Sequence, residues 1–123
     1  HYQLNYGQGK LVWVSSGSIL DVSIDIRIGS PTFGKYVSFV LDDKKHERLY
    51  IPEGFAHGFC VLSEEAILHY MCTQTYHPED EYGVLWNDPK ISINWPDGEK
   101  IVSDRDKKWP NLNEIDPQKL PKY

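Results

Sequence analysis

Ile19-Leu-Asp-Val-Ser-Ile-Asp-Ile-Arg27 alternates in polarity from its second residue to its last, with Leu20, Val22, Ile24 and Ile26 against Asp21, Ser23, Asp25 and Arg27. Successive side chains of a strand point to opposite faces, so the run predicts a β-strand with one buried face. Working outward, similar short runs predict strands at Lys10 to Val14, Tyr36 to Leu41, Arg48 to Ile51, Gly58 to Leu62, Ile67 to Thr73, Gly83 to Trp86 and Ile91 to Trp95. Turn formers separate them: Ser16-Gly17, Gly29-Ser30-Pro31, Asp42-Asp43, Ser63-Glu64-Glu65, His77-Pro78 and Pro96-Asp97-Gly98. No window carries a sustained helical stripe, and no segment repeats. Many short strands at near-regular spacing predict an all-β sandwich or barrel, and a jelly roll closes such strands around a central cavity. After Ser103 come the charged Asp104-Arg-Asp-Lys-Lys108 and, counting from Pro96, four prolines up to Pro121. That predicts an irregular C-terminal tail wrapped around the barrel, with one helical turn.

The 123 residues fit one domain, large enough for a core without disulfide staples. No segment approaches the ~20 apolar residues that a membrane-spanning helix needs, so a soluble protein with no membrane partner is expected. The net charge of -5 argues against a nucleic-acid partner, because phosphate neutralisation needs clustered Lys and Arg. Cys60 and Cys72 lie on separate predicted strands, lack Cys-x-x-Cys spacing and follow no secretory leader. Two reduced, buried thiols in a cytoplasmic protein are expected.

The chemistry concentrates around Ile51-Pro-Glu-Gly-Phe-Ala-His-Gly-Phe59, which sets His57 between glycines in an apolar run. An imidazole there is suited to binding or to proton transfer near neutral pH. The plainer reading is a core histidine bonded to a neighbouring carbonyl, and for a lone histidine it is the commoner one. His57 also lacks the His-x-His cluster on adjacent strands that a metal-dependent oxygenase of this architecture would need. His1, Lys10, His57 and Tyr70 all fall on or beside predicted strands, and inward positions of a small barrel share one space. Such a cavity, with Asp106 nearby, would suit moving a proton on and off carbon next to a carbonyl. The pattern of residues alone reaches no further than a β-barrel with a polar pocket.

Seven blocks extend the argument. His1-Tyr-Gln3, Gln8-Gly-Lys-Leu-Val12, Gly29-Ser-Pro-Thr-Phe-Gly34, Ile51 to Phe59, Leu85-Trp-Asn-Asp-Pro89, Asn94-Trp-Pro96 and Ser103-Asp-Arg-Asp106 occur in that order. Together they closely resemble the dTDP-4-dehydrorhamnose 3,5-epimerase family. The resemblance implies a cupin-type jelly roll (a double-stranded β-helix), a homodimer, no metal or other cofactor, and a dTDP-4-keto-6-deoxyhexose substrate. It implies His1 as catalytic base with Asp106 as its partner, Lys10 beside the sugar C4 oxygen, and Tyr70 as the acid on the opposite face of the sugar. Alternation agrees in placing Leu68, Tyr70 and Cys72 on one face of their strand. It implies His57 near the same oxygen, and Tyr76, Glu81 and Arg105 along the ligand cleft. Each has a plainer alternative: Lys10 as a solvated strand end, Tyr70 as a core phenol, Asp106 as one charge in a run.

Family members carry a further N-terminal segment of some tens of residues that ends in Arg-Gly just before the histidine matching His1. The 123 residues therefore correspond to the C-terminal two-thirds of a family chain, and His1, at a terminus, is expected to fray. Relatives that epimerise one centre or move the ketone between C3 and C4, and a non-catalytic sugar-binding jelly roll, are the remaining alternatives.

Overall fold

The computed structural model describes residues 1–123. It holds eight strands: β1 (Tyr2–Gln3), β2 (Lys10–Ser16), β3 (Ser18–Asp25), β4 (Tyr36–Asp42), β5 (Arg48–Ile51), β6 (Phe55–Val61), β7 (Ile67–Cys72) and β8 (Glu81–Tyr82). One antiparallel sheet has the order β5-β2-β7 and the other β4-β3-β6, while β1 pairs with β8. The chain thus crosses between the sheets after β2, after β4, after β5 and after β6, laying later strands beside earlier ones. This is the winding of a jelly roll. No helix is long and apolar enough to cross a membrane.

β3 is the centre of its sheet, paired with β4 from Ser18↔Asp42 to Ile24↔Tyr36 and with β6 from Ile19↔Val61 to Asp25↔Phe55. The expected strand is present, but the expectation of a single buried face is wrong. Val22, Ile24 and Ile26 are buried, and so are Ile19, Asp21, Ser23 and Asp25. The reason lies in the chain on either side of the sheet. The first set packs with Tyr2, Ala56, Val84, Ile91, Leu112, Ile115 and Leu120, the last three supplied by the tail. On the inner side Ile19 joins Val12, Val14, Leu41 and Ile51 between the two sheets. Each fully buried Val or Ile contributes about 1.5–3 kcal/mol, so both layers hold the sheet.

The turn between β2 and β3 needs Gly17. Its φ is +76°, and a Cβ there would run into the backbone carbonyl of Glu65.

Two predicted strands are absent. Gly83 to Trp86 and Ile91 to Trp95 are irregular, and the strand forms two residues earlier, at Glu81–Tyr82, against β1, which the sequence did not signal. Asn87-Asp-Pro89 explains this. The Asp88 carboxylate accepts from the backbone N–H of Lys90 and of Leu112 at 2.8 Å each, so it folds the segment into a turn tied to the tail. Val84 and Ile91 are still buried, as apolar plugs rather than as ladder partners. The tail wraps the barrel as expected, with three short 3-10 turns, Asp106–Lys108, Leu112–Glu114 and Pro117–Lys119, in place of one helical turn. The cysteines are free, but neither is buried: Cys60 is half-buried and Cys72 exposed. Cys72 stands across from Lys10 on the inner face of its sheet, and Cys60 across from Leu20 on the opposite face of the other.

Asp25 ties the end of β3 to the Gly29–Gly34 loop. Its carboxylate accepts from Arg27 Nε (2.9 Å), Nη2 (2.7 Å) and backbone N–H (3.0 Å), and from the hydroxyls of Ser30 and Thr32 (2.6 Å each). The Arg27 guanidinium is itself sandwiched between Phe55 and Tyr123, 4.7 Å from each ring centre. Burial would raise the Asp25 carboxyl, but these donors outweigh it and hold it far below the usual carboxylate range. Because the folded value is depressed, the stabilisation is complete above the unfolded value of about 3.9 and is lost as pH falls below it. Asp25→Asn is expected to cost about 3 kcal/mol at pH 7. Urea unfolding checks this: the gap to the unsubstituted protein should narrow at pH 3, and a gap that is constant with pH would refute the assignment.

Candidate active site

The two sheets leave a cleft of about 930 Å³ between them, closed on one side by residues 99–109 of the tail. His1, Lys10, His57, Tyr70, Tyr76, Glu81, Arg105 and Asp106 all line it. Every residue singled out from the sequence is thus brought to one space, although they come from seven separate segments.

His1 lies alongside β6. Its backbone nitrogen donates to the His57 carbonyl at 2.9 Å, and the His57 N–H donates back to the His1 carbonyl at 3.0 Å. Far from fraying, it is fixed as a strand partner. Its ring is held edge-on by Trp109, with centroids 5.7 Å apart and planes at 76°. Nε2 lies 2.5 Å from Asp106 Oδ1 and Nδ1 lies 2.9 Å from Glu81 Oε1. Glu81 in turn accepts from Arg105 (2.7 Å) and from the Tyr76 hydroxyl (3.0 Å) at its other oxygen. Five of the expected residues, His1, Asp106, Glu81, Arg105 and Tyr76, therefore form one hydrogen-bonded chain, and of these Glu81 was legible only as a cleft residue.

The two carboxylates are tuned in the same way. Burial would raise Asp106 and Glu81, but hydrogen bonds from His1, with Ser103 helping Asp106 and Tyr76 helping Glu81, more than offset it and leave both below their ordinary values. Both stay ionised at neutral pH, where each can only accept.

Lys10 begins β2 at the mouth of the facing sheet, opposite Ile51 and Cys72. Desolvation pulls its ammonium below the usual lysine range, with Cys72, Glu81 and Asp21 acting in opposition. Tyr70 stands on β7, directly across from Val12, on the face shared with Leu68 and Cys72. His69, on the opposite face, stacks on Trp13 at 5.3 Å, outside the cleft. The alternation read from the sequence is therefore correct, and Tyr70 and His1 occupy opposite walls.

His57 is held as well. Its Nε2 lies 2.7 Å from Asp21 Oδ2, a diagonal pairing across β3 and β6. Gly54, just before β6, lets the chain pass close to the Arg27 side chain: its φ is +84°, and a Cβ would come within 2.7 Å of that side chain. Asp21 was missed as a site residue. In the sequence it belongs to the polar half of an alternating strand, and nothing distinguishes it there from a solvated carboxylate.

Comparisons place this arrangement. The family model for dTDP-4-dehydrorhamnose 3,5-epimerase matches residues 1–114. The dTDP-4-dehydrorhamnose 3,5-epimerase of Methanothermobacter thermautotrophicus is 45% identical over 117 residues, 93% of this chain and 63% of that protein. The crystal structure of dTDP-6-deoxy-D-glucose-3,5-epimerase from Legionella pneumophila, in complex with dTDP-4-keto-L-rhamnose, superposes with a TM-score of 0.96 at 47% identity, covering 99% of this chain and 65% of that one. A 3'-monoepimerase from Streptomyces bikiniensis, in complex with dTDP-quinovose, gives a TM-score of 0.94 at 37% identity, covering 99% and 63%. The chain spans less than two thirds of the length of each of these three relatives.

Lys10 is expected to titrate below the protein's other lysines in 13C-dimethyl-lysine NMR. Glu81→Gln removes an anion that opposes the effect of burial, so it should lower the Lys10 midpoint further. A Lys10 that titrates with the bulk would contradict the desolvated placement.

Proposed function

Because the chain belongs to the dTDP-4-dehydrorhamnose 3,5-epimerase family and has its cupin-type jelly roll, we propose that the protein inverts C3 and C5 of a dTDP-linked 4-keto-6-deoxyhexose through an enolate. The observation that carries this is the placement of a carboxylate-held imidazole, His1, and a phenol, Tyr70, on opposite walls of one cleft.

A proton on carbon next to a ketone is acidic only because the carbanion's charge moves onto the ketone oxygen. His1 accepts that proton, and Asp106 orients the ring and balances the charge it gains. Both ring nitrogens face carboxylates, so the sugar takes the place of Glu81 at Nδ1, and Arg105 and Tyr76 keep Glu81 beside it. The electron pair of the broken C–H bond forms the C3–C4 or C4–C5 double bond while the C4 carbonyl becomes an enolate oxygen. Lys10 faces that oxygen and stabilises its charge, with the His57 ring beside it. Tyr70 then returns a proton to carbon from the other side, the ketone re-forms, and the centre is inverted. The His1 imidazolium then gives up its proton to water and the phenolate regains one from water, which resets both groups before the second centre reacts.

Val37, Phe39, Phe59 and Val61 are about half-exposed on the inner face of the β4-β3-β6 sheet, and Ile67 and Met71 are exposed on β7, an edge strand. That uncovered apolar surface supports a homodimer in the complete protein. A cytoplasmic location follows from the same reading. The second reading is epimerisation of one centre, which the likeness to the 3'-monoepimerase favours.

Proton NMR of dTDP-4-keto-6-deoxyglucose in deuterated buffer, with protein made from the complete coding sequence, distinguishes these readings. Loss of both the C3 and C5 signals is expected. Loss of one establishes the single-centre reading, and loss of neither refutes both. Tyr70→Phe should abolish epimerisation while the first C–H exchange continues, and His1→Asn should stop exchange altogether, a loss of at least about 100-fold. Epimerisation by the Tyr70→Phe protein would remove Tyr70 from the acid role.

A further inference from the structure

Asp21 has no solvent exposure and sits in the middle of β3, on the face that carries Ile19 and Ser23 between the two sheets. One carboxylate oxygen meets His57 Nε2 at 2.7 Å, and the other, Oδ1, has no partner within the chain. An ionised group in such a place is costly unless it is paired and fully hydrogen-bonded. Stability would be served better by another aliphatic side chain, as at Ile19 two residues earlier on the same face. The basic groups in range are the His57 ring and, across the cleft, Lys10, on which the Asp21 charge acts against the effect of burial.

We propose that Asp21 is a positioning residue, which keeps the proton of His57 on Nε2 and thereby aims Nδ1 at the bound ligand. A carboxylate only accepts, so the nitrogen facing it must donate. His57 Nδ1 makes no hydrogen bond within the chain, and the ring lines the cleft. With Nε2 engaged, the ring plane is set and Nδ1 is left as an acceptor for a sugar hydroxyl.

The site thus holds two histidine–aspartate pairs, His1–Asp106 and His57–Asp21, and the two histidines are joined by reciprocal backbone hydrogen bonds. Those bonds hold the two backbones in register, and each ring is then oriented by its own carboxylate. This inference rests on the epimerase reading for what Nδ1 meets, but the state of the ring does not depend on it.

The experiment uses the complete protein labelled with 15N-histidine. Two-bond 15N–1H correlation reads the His57 ring directly, and C3 and C5 exchange reads turnover. The expected result is a proton on His57 Nε2 in the unsubstituted protein. Asp21→Asn should lose that preference, with kcat reduced roughly 10- to 100-fold and KM changed little. In a His57→Gln background the same substitution should cost almost nothing more, because Asp21 acts through His57; a purely structural role would cost as much in either background. A His57 ring protonated on Nδ1 alone in the unsubstituted protein overturns the proposal, whether or not Asp21→Asn folds. So does an Asp21→Asn protein with turnover within twofold of the original. If the unsubstituted protein exchanges neither hydrogen, the epimerase reading fails, and the tautomer still decides the role of Asp21.

Discussion

Burial of β3 on both faces is the constraint from which the rest of the structure follows. A strand in an open antiparallel sheet can leave one face in water, but here one face of β3 is sealed by Val84, Ile91, Leu112, Ile115 and Leu120 and the other looks into the space between the sheets. Apolar side chains therefore hold the sheet from behind, and polar ones can be kept in front without losing the core. Asp21, Ser23 and Asp25 are all nearly inaccessible to water on that second face. Buried carboxylates must find donors, and the two find different ones. Asp25 gathers five around the end of the strand, and Asp21 takes a histidine from the neighbouring strand.

The cleft is a set of charges held at fixed spacing by backbone pairing. His1 and His57 are neighbours because their strands exchange hydrogen bonds, while Lys10 and Tyr70 face them because β2 and β7 form the opposite sheet. None of these side chains chooses its place by its own interactions. Each histidine then has its ring set by a carboxylate from elsewhere in the chain, Asp106 from the tail and Asp21 from β3. Positioning by rigid strands and orientation by charged partners supports the proposed proton transfer at carbon, which needs a base, a group opposite the developing charge and an acid to be aligned before the bond breaks.

The regions where sequence and structure part company have a common physical cause. Ile91 to Trp95 has the apolar alternation of a strand and is buried at Ile91, yet Asp88 diverts the chain into a turn anchored on Leu112 and no ladder partner is within reach. Periodicity reports which side chains will be buried. It does not report whether a neighbouring backbone is available. The same limit hid β1 and β8, two-residue strands that exist only because they meet each other, and it made Asp21 look like a solvated residue.

The sequence by itself determined that the chain is all-β, where six of its eight strands run, that Tyr70 shares a face with Leu68 and Cys72, and, through seven ordered blocks, the family. These are local properties: alternation along one strand and residue identity within short motifs. Only the tertiary structure decided that β3 has no wet face, that Glu81 caps the second nitrogen of His1, and that Asp21 holds His57. Each of those depends on segments between 36 and more than 80 residues apart meeting in space, and no pattern along the chain encodes a distance across it.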